Sequence, residues 1–292
     1  MIPHDTVLQQ LRRQRPEWAP WLAVVEEVVR ESGTDTWDAA VPDEAPAPVI
    51  ATPRLCGLSV SLDTGAARRL LERLIRTASS SGAPKLARLD TTLTADADAL
   101  TLFTASLCQD GVRLDEVAAT RGGDAEAIQA VAALLPVPFL HTCSRRWASS
   151  MSESWVEGYC PVCGSWPVFA EVRGIDRTRY FRCGRCSGEW HSEGLCCPYC
   201  AMRDHNELVS LVPEKAGVNA VIDACNRCRG YVKTFSRLQA CPHGTVMLED
   251  LASVDLDVAA IVQGYARPTG AGRALDVSVS EKPAVRRFFA WT

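Results

Sequence analysis

The 292-residue sequence has no excess of positive charge. Its 31 Lys and Arg stand against 35 Asp and Glu, giving a formal charge of −4 and a pI near 5.8. That balance supplies no global cationic field to draw the chain to nucleic acid or anionic lipid, so any basic patch must be local. The start, Met1-Ile2-Pro3-His4-Asp5, lacks a cationic stretch leading into an apolar run, so a cytoplasmic location is expected rather than export. The longest apolar stretch, Ala127 to Leu140, is broken by Gln129, Pro136 and Pro138 and falls short of the about 20 residues that cross a bilayer as a helix. No membrane span is expected. Also missing are a glycine-rich phosphate loop of known spacing and the βαβ context of a thioredoxin-type redox site.

What is present is an ordinary globular composition, 47% apolar and 23% charged, in a length that suits two compact domains. The first half reads as helical. Val7, Leu8 and Leu11, then Trp21, Leu22, Val25, Val28 and Val29, recur at the steps of a buried helical face, and Gly33 is placed to end the second helix. From Asp35 to Pro53, Pro42, Pro46, Pro48 and Pro53 predict a long surface loop. Helical periodicity resumes through Leu62, Ala66, Leu70, Leu71, Leu74 and Ile75, and again through Leu100, Phe103 and Leu107. Asp124 is a cap for a helix through Leu135, and Pro136 and Pro138 suit the first turn of the next. A domain seam is expected near residues 149–158. Beyond it, Trp166–Val172 and Arg179–Cys183 read as a hairpin turning at Gly174-Ile175-Asp176, and one amphipathic helix is expected over about Asp250 to Tyr265.

Thirteen cysteines divide the chain: Cys56, Cys108 and Cys143 in the first 159 residues, then ten from Cys160 to Cys241. A chain that is not exported has little use for disulfides, so the spacing must account for them. Four Cys-x-x-Cys pairs do: Cys160/Cys163, Cys183/Cys186, Cys197/Cys200 and Cys225/Cys228. Two intervening residues let both sulfurs face one ion while backbone N–H groups donate to them. Each pair is half a tetrahedron, so pairs must combine. Sequence order joins the first with the second and the third with the fourth, across 19 and 24 residues, the reach of a strand-turn-strand excursion in a zinc ribbon or rubredoxin-like knuckle. An interleaved pairing, first with third and second with fourth, is also compatible with the spacing. Four thiolates close the coordination sphere and leave no position for a catalytic water, and both zinc and iron accept such a set.

Other residues weigh less. Cys196 beside Cys197 reads as a bystander, Cys241-Pro242-His243 as a loop without a second ligand pair, and His191 as an ordinary turn histidine. His141 near Cys143 lacks an orienting acid for a Cys–His nucleophile.

Ordered residues across the cysteine region resemble the formate dehydrogenase accessory protein FdhE family. The resemblance rests on Cys160-Pro161-Val162-Cys163-Gly164-Ser165-Trp166-Pro167, Arg182-Cys183-Gly184-Arg185-Cys186 with Glu189-Trp190, Cys197-Pro198-Tyr199-Cys200, and Asp223-Ala224-Cys225-Asn226-Arg227-Cys228-Arg229-Gly230-Tyr231-Val232-Lys233. It continues through Asp250–Asp257, Gly264-Tyr265 and Arg267-Pro268 and spans about residues 155–268. It implies a cytoplasmic maturation factor that contacts the catalytic subunit of formate dehydrogenase and is not itself an enzyme. It also implies rubredoxin-like iron at the eight paired cysteines, with zinc as the other metal; this sequence departs in carrying Cys196, Cys241 and His243.

The expected architecture is α+β: a helical domain (1–150), two metal knuckle modules (151–194 and 195–240), and a C-terminal helix and tail (241–292). Arg173, Arg185 and Trp190 are the candidate partner contacts, Arg and Trp being enriched at interface hot spots. The alternatives are a zinc-ribbon nucleic-acid binder and a rubredoxin-like electron-transfer protein. Between Cys160 and Gly230 nine basic residues face eight acidic ones. Two divalent ions, each held by four thiolates, bring the loaded region to roughly −3, the wrong sign for phosphate.

Overall fold

The computed structural model describes residues 4–47, 49–80, 85–89, 93, 95–150, 155–212 and 219–282. Apolar residues at three- and four-residue steps become the inner faces of the helices. α1 (His4–Gln14) buries Val7, Leu8 and Leu11, and α2 (Ala19–Ser32) buries Leu22, Val24, Val25 and Val28 before closing on the Gly33 N–H. α3 (Thr64–Ser79) starts where the Asp63 carboxylate accepts the Ala66 N–H at 3.2 Å. Its buried stripe, Leu70, Leu71, Leu74 and Ile75, faces α4 (Ala95–Cys108). α5 (Gly111–Arg121) and α6 (Ala125–Leu134) are capped in the same way by Asp110 and Asp124, and α7 (Val137–Trp147) carries Pro138 in its first turn.

By length and composition alone, the run Ala125–Ser150 through α6 and α7 is apolar enough to cross a membrane, and it extends beyond the Ala127–Leu140 stretch on which no span is expected. Of the most apolar 18 residues in that run, 83% are buried against the rest of the protein, so core packing accounts for its apolarity.

The segment expected as a surface loop enters the core instead. Trp37 is 1% exposed and stacks on Phe103 with ring centroids 5.8 Å apart, while Phe103 meets Phe139 edge-on. The prolines prevent a long helix, but the indole buries far more apolar surface than a loop would forgo, and its Nε1 is satisfied by Glu31 at 3.1 Å. Arg146 of α7 then laces the strap down through the carbonyls of Asp38 and Val41.

In the second half β2 (Pro167–Arg173) and β3 (Thr178–Cys183) form the expected hairpin. With β4 (Glu189–Ser192), β5 (Leu208–Leu211), β6 (Ala220–Cys225) and β7 (Tyr231–Arg237) they make one six-stranded sheet, ordered β4-β3-β2-β7-β6-β5. Every neighbouring pair is antiparallel except β2 and β7, which run parallel with Phe169 opposite Lys233. The two knuckle modules therefore share a continuous sheet. Buried charges flank the join. Glu171 of β2, fully buried, pairs with Arg182 and Arg237 and accepts the Cys241 N–H at 2.8 Å. Lys233 of β7, also fully buried, lies 2.7 Å from Asp250 and 2.8 Å from Asp257.

The single closing helix expected over Asp250–Tyr265 is two, α8 (Val246–Ala252) and α9 (Val254–Val262). The carbonyl of Asp250 is taken by Lys233 Nζ at 2.9 Å and by the Ser253 hydroxyl at 3.1 Å, which breaks the helical ladder at Ser253. Sequence periodicity also missed β1 (Ser59–Leu62) and β8 (Ser278–Glu281), a parallel pair that returns the C-terminal segment to the helical half. The expected seam falls partly on residues 151–154, outside the described residues.

Candidate metal centres

Each of the four Cys-x-x-Cys pairs is built by the same backbone turn. The N–H of the first cysteine donates to the carbonyl five residues on, as Cys160 to Ser165 at 2.8 Å and Cys225 to Gly230 at 2.9 Å. The N–H four residues on returns to the carbonyl of the first cysteine, as Ser187 to Cys183 at 3.0 Å and Ala201 to Cys197 at 3.0 Å. The residue after the second cysteine is left-handed in all four: Gly164 (φ 69°), Ser187 (58°), Ala201 (55°) and Arg229 (59°). At Gly164 a Cβ would sit 2.1 Å from the Arg273 carbonyl oxygen, so glycine there meets both a positive φ and a close backbone approach.

These turns aim backbone N–H groups at sulfur. Val162 donates to Cys160, Cys186 to Cys183, Gly188 to Cys186 and Gly230 to Cys228, each at 3.4 Å. The sulfurs gather in two groups, Cys160/Cys163/Cys183/Cys186 and Cys197/Cys200/Cys225/Cys228, all within 4.8 Å of one another in each group, and each group could hold a metal ion. Sequential rather than interleaved pairing is what the strands bring together. Cys160 and Cys186 lie 3.4 Å apart and Cys197 and Cys228 3.6 Å apart. Metal–sulfur bonds of about 2.3 Å in a tetrahedron set sulfurs about 3.8 Å apart, so the spacing fits a tetrathiolate ion.

The chemistry of the inner group fits as well. Hydrogen bonds from the thiols of Cys160, Cys183 and Cys186 hold Cys163 well below the usual thiol range, while burial pushes Cys160 and Cys186 far above it. A divalent cation takes the place of those protons and lets all four sulfurs ionise.

Two histidines pack beside the Cys183/Cys186 turn. His141 Nε2 lies 3.1 Å from the Ser187 hydroxyl, and its ring meets His243 at 5.0 Å between centroids. Burial brings His141 down to about 3 and His243 to about 4, so both rings are neutral near pH 7. Cys143 is fully buried and its thiol is pushed well up by burial, which leaves no Cys–His nucleophile with His141. Cys241 is buried against the Thr245 hydroxyl at 3.1 Å, and half-buried Cys196 faces the Cys197 carbonyl; among the described residues neither joins a sulfur group. His191 lies on β4, edge-on to Tyr180, rather than in a turn.

Arg173, Arg185 and Trp190 have internal places. Arg173 pairs with Glu171 and Glu189, Arg185 donates to the carbonyls of Ser106 and Leu107, and Trp190, 4% exposed, packs on Phe181 and donates to the Glu157 carbonyl. Of the four left-handed positions only Gly164 carries a glycine, the residue type that favours that conformation. The other three share its place after the second cysteine of a pair.

Residues 159–193 match the family model described as FdhE, central domain. The chain is 30% identical over 138 residues to a protein named Protein FdhE homolog from Stutzerimonas stutzeri, covering 46% of this chain and 44% of that one. It is 35% identical over 111 residues to Protein FdhE from Escherichia coli O127:H6, covering 37% and 35%. These matches support the FdhE family. The aligned part spans less than half the length of these curated relatives. A crystal structure of the FdhE protein from Pseudomonas aeruginosa superposes with a TM-score of 0.51 over 91% of this chain and 92% of that one, at 20% identity, a likeness of fold. The likeness extends over most of this chain, which itself has an α+β architecture with two four-cysteine knuckle groups.

Proposed function

We propose that this chain is a cytoplasmic accessory factor that binds the catalytic subunit of a formate dehydrogenase during its maturation and does not oxidise formate itself. The observation that carries the reading is a pair of complete four-cysteine groups, the first of them within the residues that match the FdhE central domain. Cys160, Cys163, Cys183 and Cys186 hold one ion, and Cys197, Cys200, Cys225 and Cys228 the other. Iron in a rubredoxin-like setting is favoured by the family resemblance, zinc being the alternative. The ions, when bound, supply cross-links between strands and knuckles; the chain supplies N–H donors to the sulfurs.

A nucleic-acid role gains little support, because three strand arginines of the β2–β3 hairpin are engaged: Arg173 and Arg182 with Glu171 and Glu189, and Arg179 with Asp223. The test is co-purification of the chain with the catalytic subunit from cells expressing both, with formate oxidation measured after deletion of the accessory gene. A complex and loss of enzyme activity on deletion are expected. Full activity without the gene and no complex would refute the reading.

A further inference from the structure

The two sulfur groups have the same local geometry and opposite surroundings. The inner group is covered on every knuckle. Over the Cys160/Cys163 turn, Arg54 and Leu55 donate their N–H groups to the carbonyls of Pro161 and Val162 at 2.8 and 3.2 Å, and the Arg273 N–H reaches Gly164 at 2.8 Å. Over the Cys183/Cys186 turn lie α4, through Arg185, and α7, through His141. All four of its cysteines are fully buried.

The outer group is covered on one side only. Tyr199 inside the Cys197/Cys200 turn packs edge-on to Trp166 at 5.2 Å and donates to the Tyr231 carbonyl. The Cys225/Cys228 turn is held from below by Arg229, which donates to the carbonyls of Gln263 and Gly264, and by Tyr265, which donates to Asn226. Its tip, residues 226–229, is exposed; Cys228 is exposed and Cys200 half-buried, whereas Cys197 and Cys225 are buried.

From this contrast we infer that the outer group is an exchangeable metal site entered at Cys228, open to a soft donor such as a thiol or a nitrogen chelator, while the inner group is a fixed one. The inference rests on the reading of both groups as ion sites and goes beyond it in assigning them unequal roles. Cys228 is the ligand a competitor can replace without unfolding. An incoming thiolate or nitrogen lone pair would take the place of the Cys228 sulfur on the ion, and the freed thiolate would take up a proton, that of the incoming thiol or one from the buffer acid. Replacing any inner ligand requires first parting the helical half from the sheet, an opening that draws on the stability of the whole molecule. The same exposure makes Cys228 a modification site: its sulfur displaces iodide from iodoacetamide, forming the S–C bond as the C–I bond breaks.

The experiment uses the full chain loaded with zinc and challenged with a chromophoric pyridylazo chelator under native conditions, with iodoacetamide pulses read by peptide mass spectrometry. Two release phases are expected, the faster by at least about tenfold, since local opening is far easier than global opening. Cys228 should be labelled within the fast phase, ahead of Cys160, Cys163, Cys183 and Cys186. Cys228→Ser should abolish the fast phase and retain one tightly held ion. Two ions leaving with one rate constant, or inner cysteines labelled first, would overturn the inequality while leaving both sites standing. A chain binding fewer than two ions would overturn the site assignment and the inequality together.

Discussion

Arg185, between the two cysteines of the second knuckle, donates through Nη2 to the carbonyl oxygen of Ser106 near the end of α4 at 2.5 Å. A second bond reaches the Leu107 carbonyl at 3.4 Å. The guanidinium thus donates to two carbonyls at the helix end, that of Ser106 being shared with the Gln109 N–H at 3.2 Å, and ties the inner sulfur group to the helical half.

Arg185→Ala is therefore expected to destabilise the protein by about 1.5–3 kcal/mol, the range for hydrogen bonds made by a charged group. The check is the urea midpoint of the metal-loaded chain. Both ions should stay bound, because no sulfur is touched; an unchanged midpoint would show the contact to be incidental.

Trp37→Ala separates the strap seen here from the surface loop that the prolines of residues 35–53 suggest. Removing an indole that stacks on Phe103 in the core should destabilise by about 3–5 kcal/mol, whereas a surface change stays within about 0.5 kcal/mol. Thermal or urea unfolding followed by far-UV circular dichroism distinguishes the two.

What could be read from the sequence followed the range of its rules. The helix stripes and the cysteine pairs are local patterns, so Leu70, Leu71 and Leu74, or Cys160 and Cys163, declare themselves within a few residues. Contacts set by long-range competition do not. Trp37 lies in a proline-rich stretch and goes inward because Phe103, far along the chain, offers it a face. The helix expected through Asp250 breaks because Lys233, on a strand, takes its carbonyl. The parallel pairing of β2 with β7, and of β1 with β8, joins strands whose own sequences carry no sign of their partner. Nor does the residue pattern distinguish the inner sulfur group from the outer, since the covering residues, Arg54, Leu55 and Arg273, lie outside the motif.

Acid should weaken the fold partly through His141. Its ordinary value of 6.5 falls to about 3 in the folded protein because burial disfavours the charged ring, with His243 and Arg145 adding repulsion. The unfolded chain therefore binds the proton more readily, so this contribution to stability is complete above about 6.5 and is lost as pH falls from there toward 3. Stability measured by urea titration between pH 7 and 4 should decline less steeply in His141→Gln than in the unchanged chain. Protonation of the thiolates is common to both proteins and cancels in the comparison. Parallel acid slopes would remove His141 from the account.

The left-handed residue after each second cysteine supports a paired prediction of opposite sign. Ala201 holds φ at 55° on an exposed turn, and a left-handed alanine costs about 1–2 kcal/mol relative to its preferred basins. Glycine adopts that conformation without the Cβ clash but adds freedom to the unfolded chain, so Ala201→Gly should stabilise by about 0.5–1 kcal/mol. Gly164→Ala reverses both conditions. It introduces a Cβ at φ 69° and places it 2.1 Å from the Arg273 carbonyl oxygen, a backbone atom that cannot swing aside like a side-chain tip. The segment carrying Arg273 must lift off the first knuckle, breaking the 2.8 Å bond from the Arg273 N–H to the Gly164 carbonyl. Gly164→Ala should destabilise by more than about 2 kcal/mol, the sum of strain and a lost backbone bond, and should expose the inner sulfurs to alkylation. Unfolding midpoints for the two variants should therefore move in opposite directions, although both exchange the same pair of amino acids at the same place in the turn.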